Sequence, residues 1–135
     1  MHLADLNWLA VIVSAVAFYA FGALWYSVLF GKAWAAEQGI DMENPPEANM
    51  VQTMGGTLVL ELIAAIVVGM LMAEMGGTGY MVGIHTGLLL GLGIASVMMG
   101  VNYLHEQRSL KLWLINAAHL TIGFAIVGGI QGAWQ

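Results

Sequence analysis

Gly79-Tyr-Met-Val-Gly83-Ile-His-Thr-Gly87-Leu-Leu-Leu-Gly91-Leu-Gly-Ile-Ala95 places a small residue at every fourth position of a long apolar run. At 3.6 residues per turn, Gly79, Gly83, Gly87, Gly91 and Ala95 form one slowly drifting stripe along a helix. Lipid is as apolar as a leucine side chain, so helices associate in it through close packing, and small residues let two backbones approach. One such step is common; four in succession predict an extended helix–helix contact. Whether the contacting helix belongs to the same chain or to a second copy is open from the stripe itself. The other side of the helix carries His85, Leu92, Ser96, Met99 and Tyr103, so a packing face is set against a face with polar groups.

The composition indicates where such a helix resides. The 135 residues are 60% hydrophobic and 8% charged, with a mean hydropathy of +0.83. Soluble domains carry about a quarter charged residues, so the chain is expected in a membrane. Four apolar segments, near 7–29, 53–74, 79–103 and 112–134, are each longer than the roughly 20 residues needed to cross a hydrocarbon core. The first lacks a basic leader and is longer than a signal-peptide core, so it reads as a span. The expected fold is an all-α, four-transmembrane-helix bundle forming one domain over 1–135. With no cysteine, disulfides and thiolate metal sites are excluded. Three basic residues against a net charge of −5 argue against nucleic acid as a partner.

The connections set the topology. Residues 31–52 form an acidic loop containing Pro45-Pro46, and its first part, Lys32-Ala-Trp-Ala-Ala-Glu-Gln, suits a short interfacial helix with Trp34 at the headgroups. The turn Met75-Gly-Gly-Thr-Gly79 is tight, which predicts that the second and third segments pack as antiparallel neighbours. Lys32, Arg108 and Lys111 all fall in the first and third connections. The positive-inside bias therefore predicts loops 31–52 and 104–111 in the cytoplasm and both termini outside. Aromatic belts fit this layout, with Trp8, Tyr80 and Trp134 at one interface and Trp25, Tyr26, Tyr103 and Trp113 at the other.

A few polar residues lie within the spans. Glu61 is about 12 Å from the start of its apolar segment by helical rise, on a small and polar stripe of Thr53, Thr57, Glu61, Ala65 and Gly69. His119 lies at similar depth in the fourth segment, on a face shared with Asn116 and Gly123. Ionisable groups at such depth pair, become neutral or line a pathway. Two readings follow for Glu61 and His119: a proton-handling or cation-coordinating pair, or an interhelical polar clamp worth about 1 kcal/mol. His85 would extend a polar path outward from Glu61, or else sit satisfied near the interface. Asn116 is expected to cap its helix or bind a neighbouring backbone. No metal-ligand spacing, phosphate loop or nucleophile elbow occurs, so neither a cofactor nor enzymatic activity is expected. The ten methionines read as packing filler and lipid-facing residues.

Three stretches carry a family resemblance: Gly22-Ala-Leu-Trp-Tyr-Ser27 with Phe30-Gly-Lys-Ala-Trp34; Asn102-Tyr-Leu-His-Glu-Gln-Arg108 running on to His119; and Gly129-Ile-Gln-Gly-Ala-Trp134. They resemble the small bacterial membrane-protein family labelled domain of unknown function 1761. In that family a proline often follows the serine at position 27, where this chain has Val28. The resemblance implies a four-helix protein of the bacterial cytoplasmic membrane and implies no activity.

Two functions are expected from these features. The first is a homo-oligomeric (most simply dimeric) transporter or channel for protons, cations or small amphiphiles, with Glu61, His119, His85 and Asn116 on its polar path. The alternative is an accessory subunit of a larger membrane complex. Membrane lipids are partners in either case.

Overall fold

A computed structural model describes residues 3–47 and 49–134. The chain is 83% helical, with no strand among the described residues. Four helices are long and apolar enough to span a bilayer: α1 (Trp8–Leu29), α3 (Met50–Met75), α4 (Tyr80–His105) and α5 (Leu110–Ala133). A short helix, α2 (Gly31–Gln38), follows α1. The acidic loop expected over 31–52 thus begins as this helix, and its residue 48 lies outside the described residues.

Side-chain caps explain where three of the spans begin. Asn7, Asn49 and Ser109 each accept the backbone N–H three residues on, which satisfies a donor that the first helical turn leaves orphaned. Two caps extend the helices beyond the apolar limits, so α3 starts at Met50 and α5 at Leu110. Gly39 and Gly76 close α2 and α3 in the left-handed conformation that glycine adopts without a Cβ penalty. Between α2 and α3, the Asp41 carboxylate accepts from the backbone N–H of Glu43 (3.0 Å) and from Asn44 Nδ2 (3.4 Å). These bonds hold its carboxyl below the usual carboxylate range.

The principal contact is α4 against α5, and it is backbone on backbone. A Cβ added to Gly83 would lie 1.8 Å from the carbonyl oxygen of Gly128, and one added to Gly87 would lie 2.1 Å from that of Phe124. From the other side, a Cβ on Gly132 would meet the Gly79 oxygen at 2.3 Å. The Gly79 N–H donates to the Gly132 carbonyl (2.9 Å), tying the start of α4 to the end of α5. The glycine stripe is therefore spent inside the protomer. It gives no support to a dimer contact.

The stripe does not continue to Ala95. The turn Gly91–Ser96 is π-helical, and its extra residue rotates the rest of α4 by about 100° relative to a regular helix. Ser96 is fully buried at the contact, whereas Ala95 is only half-buried. The Ser96 hydroxyl donates to the carbonyls of Gly91 (2.6 Å) and Ala117 (3.2 Å). The same rotation divides the expected polar face. His85 and Leu92 stay exposed, while Tyr103 reaches Asn116 on α5.

Helix α5 is the hub, packing on α4, α1 and α3, and α1 also packs on α3. The tight turn does not make α3 and α4 close neighbours, which corrects the expectation from its length. The turn only reverses the chain; side-chain size then decides that α4 seats on α5. Val11, Ala15, Phe18, Ala65, Val68, Met72 and Val127 form the apolar core between α1, α3 and α5. Asn7 Nδ2 donates to the Trp134 carbonyl (3.0 Å), so both terminal segments lie at one end of the bundle. At the other end, Ser109 donates to Glu37 Oε2 (2.6 Å), linking α2 to the α4–α5 connection. Leu9, Val16, Leu60, Val67, Leu89 and Ile94 are exposed, a distribution that suits lipid and would be a liability in water.

Replacing Gly83 with alanine should force α4 and α5 apart and cost roughly 1–3 kcal/mol or more. Gly93→Ala, with nothing within 4 Å of the added carbon, serves as the control. Reversible unfolding in mixed micelles, followed by circular dichroism, measures both; equal stability of the two variants would refute the contact.

Candidate functional site

The first half of α3 leans away from its neighbours, and residues 50–60 are all exposed. The gap it leaves is a half-open cleft of about 650 Å³ among α1, α2, α3 and α5, with Met99 of α4 at its edge. It lies at the end of the bundle that carries the connections. Its wall is mostly apolar and aromatic, with Tyr19, Tyr26 and Trp34 facing Thr53, Thr57 and Glu61 across it. The π-helical turn Trp25–Leu29 shapes one side, placing Tyr26 and Ser27 on the lining. Such turns recur at functional sites because they free backbone groups and re-aim side chains. Here the Ser27 hydroxyl donates back to the Ala23 carbonyl.

Glu61, His119 and Asn116 all line this cleft. Glu61 lies about 17 Å along α3 from Met50, close to the middle of the span. Its Oε2 is shielded from solvent and has no hydrogen-bond partner, and the same holds for Nε2 of His119. No direct hydrogen bond joins Glu61 Oε2 to His119 Nε2. His119 is instead enclosed by aromatic rings: Phe21 stacks on it at 5.6 Å, with Phe18 at 5.4 Å and Tyr26 edge-on at 4.9 Å. Its Nε2 points at Gly22, where an added Cβ would lie 3.0 Å away.

Asn116 bonds side chains rather than the backbone expected for it. The Tyr26 hydroxyl donates to its Oδ1 (2.5 Å), and its Nδ2 donates to the Tyr103 hydroxyl (2.7 Å). Asn116 thereby joins α1, α4 and α5 in one polar chain. Two tryptophans reinforce this end, Trp25 donating to the Ile115 carbonyl (3.1 Å) and Trp113 to that of Ser96 (2.8 Å). His85 stands apart. It is exposed on α4, two residues from the glycines that face α5, so it turns away from the cleft and no relay runs from it to Glu61.

Ser14, Thr86 and Gln131 are buried polar groups that periodicity did not single out. Gln131 is 2% exposed, and its Nε2 donates to the Ala65 carbonyl (2.8 Å) and to the Ser14 hydroxyl (3.1 Å). It joins α5, α3 and α1 at a second level. Beyond it, at the terminal end, a cavity of about 220 Å³ is lined by Asp5, Asn7, Gly69, Ala73, Gln131 and Trp134. The stripe Thr53–Thr57–Glu61–Ala65–Gly69 therefore runs along one seam, from the cleft past Gln131 to the small cavity. Phe18 and Val127 belong to the apolar core on this seam. The available signal for Gln131 was an amide set among Gly128, Gly129 and Gly132, where small neighbours let another helix cover it. No group of three or more His, Asp or Glu suited to a metal ion occurs among the described residues.

These features define a small multi-pass membrane protein with a largely apolar, aromatic-walled cleft within its helices. The sequence pattern of the family described as "Protein of unknown function (DUF1761)" matches residues 9–132, and the chain belongs to that family. The match takes in α3 and α4 entirely and all but the outermost residue of α1 and of α5. Neither the curated proteins nor the solved structures contain a match.

Asn116→Ala and Tyr103→Phe each remove one side of the polar chain. Their double-mutant cycle should give a coupling of about 0.5–1.5 kcal/mol in micelle unfolding. Additive effects would mean that the bond contributes nothing to the bundle.

Proposed function

We propose that the protein is a small membrane transporter or channel for protons, cations or small amphiphiles, with Glu61 as the group that carries the charge. The observation behind this reading is the Glu61 carboxylate itself, central in its helix, on the wall of the cleft, with Oε2 shielded and unpartnered. An ionised acid at the centre of a span costs roughly 2.5–3.5 kcal/mol on insertion scales. A structural clamp would offset that cost with a hydrogen bond, as Asn116 and Gln131 do for their own polar atoms. Glu61 Oε2 has none. His119 supports the site from within its aromatic cage, and the seam past Phe18 to Gln131 continues toward the terminal end. We read the cleft as non-catalytic, since it offers no nucleophile paired with a base.

Lys32, Arg108 and Lys111 all lie at the cleft end, which by the positive-inside bias faces the cytoplasm, in a bacterial cell from the inner membrane. The protein has no native cysteine, so single-cysteine labelling is direct. Asp41→Cys should react with a membrane-impermeant maleimide in inverted vesicles and stay protected in intact spheroplasts; the reverse pattern would invert the topology.

The outward face of α3, where Gly55 and Gly56 have nothing within 4 Å, supports a contact with another helix. A second copy is our first reading, and a larger membrane complex with this chain as an accessory subunit is the alternative. The mass of the particle extracted at native expression in nanodiscs separates them. Copies of this chain alone favour the transporter; a fixed partner favours the accessory role. In proteoliposomes, Glu61→Gln should abolish flux while leaving particle mass and helicity unchanged. Undiminished flux, or loss of assembly together with flux, would overturn the proposal.

A further inference from the structure

Resting on the reading of the cleft as the functional site, we infer that its ligand is an amphiphilic cation: a compact apolar or aromatic body bearing one delocalised or hindered positive charge. Charge complementarity is the first argument. Among the described residues, Glu61 is the only formally charged side chain on the lining; none of the three basic residues of the chain reaches it. An organic anion would find no counter-charge there, while a cation would find the carboxylate that the protein leaves unpartnered.

The second argument is the chemistry of the wall. Tyr19, Tyr26 and Trp34 present ring faces or edges to the space, with Tyr26 and Trp34 edge-to-face at 5.8 Å. Aromatic faces attract cations that carry little hydration, and attract bare ammonium or metal ions less well because those hold their water. Apart from Glu61, the polar lining is sparse: Thr53, Thr57 and Ser27 hydroxyls, Asn116 and His119. Three of these are already engaged, Asn116 with the two tyrosines and the Ser27 and Thr57 hydroxyls each with a backbone carbonyl. A small hydrated inorganic cation needs several converging oxygen ligands. One carboxylate in an apolar cleft does not supply them.

Volume is the third. About 650 Å³ is the size of a site for a drug-sized organic molecule, well beyond what a lone ion or proton relay needs. The opening beside the splayed half of α3 would let such a ligand enter without unpacking the α4–α5 contact, which lies on the other side of α5.

The test uses two probes of nearly the same shape and opposite charge, tetraphenylphosphonium and tetraphenylborate. Binding of each to the protein in zwitterionic nanodiscs is measured by equilibrium dialysis against empty nanodiscs, which removes lipid partition from the comparison. The phosphonium should bind the protein about tenfold or more tightly than the borate, and Glu61→Gln should remove that preference with helicity and particle mass intact. Trp34→Ala, on the short helix α2 where the side chain is half-buried, should weaken the phosphonium severalfold and leave Glu61 in place. Equal binding of the two probes, or a preference for the phosphonium that survives Glu61→Gln, overturns the inference. Should Glu61→Gln fail to fold, the contrast between probes on the unaltered protein, with its loss or survival in Trp34→Ala, decides. The transport reading fails separately. Glu61-dependent binding of the phosphonium with no flux of it or of protons would leave a cation-binding protein; Glu61-dependent flux with no charge preference would leave a transporter of another substrate.

Discussion

The structure depends on two helices being allowed to touch along their backbones. In lipid there is no water to expel from between helices, so affinity comes from the number of atoms in contact and the dipoles they align. Glycines on α4 lie against the Leu120, Phe124 and Gly128 carbonyls, and Gly132 on α5 lies against that of Gly79. This close approach fixes α5 as the hub of the bundle, and with α4 seated on one side, α1 and α3 take the remaining faces. The contact also explains what α4 does not do. Its glycine face is used within the protomer, and it is not a close neighbour of α3 although only a short turn joins them.

Around that rigid pair, the polar groups lie at two levels. Near the terminal end, Gln131 Nε2 donates to Ser14 and to the Ala65 carbonyl, as a buried amide N–H in an apolar bundle is expected to. Nearer the connections, Asn116 is engaged with Tyr26 and Tyr103. Glu61 breaks this pattern, and it does so where α3 leans outward and leaves a cleft. Two buried polar atoms, Glu61 Oε2 and His119 Nε2, are left without partners, and both residues line the cleft; local inconsistencies of this kind tend to fall at functional places in folded chains.

The π-helical turns show how one inserted residue changes a surface. On α4 the turn at Gly91–Ser96 moves the packing stripe from the expected Ala95 to Ser96, and carries Met99 and Tyr103 to the inside. On α1 the turn at Trp25–Leu29 brings Tyr26 to the cleft and to Asn116. Regular 3.6-residue periodicity cannot register either change, so residues read as one face, His85 with Tyr103, end on different sides of the helix.

The sequence by itself determined the class of the protein and its secondary structure. A bilayer requires backbone bonds closed within each span and about 20 apolar residues to cross it, and both requirements are legible as hydropathy and length. The Gly79–Gly91 ladder was legible for the same reason, because a period of four on a helix is a surface. Its receptor on α5 was not: at Leu120 and Phe124 the contact is made by backbone carbonyls, which leave no mark on residue type. Glu61, His119 and Asn116 could be picked out as costly residues at depth, and they do line one cleft. That His85 faces away, that Gln131 and Ser14 meet, and that Glu61 Oε2 is buried without a partner were decided only by tertiary structure. Those outcomes depend on which helix seats against which and on the rotation of each about its axis. Both are set by the fit of small residues against distant backbone, after the chain has already committed to being helical.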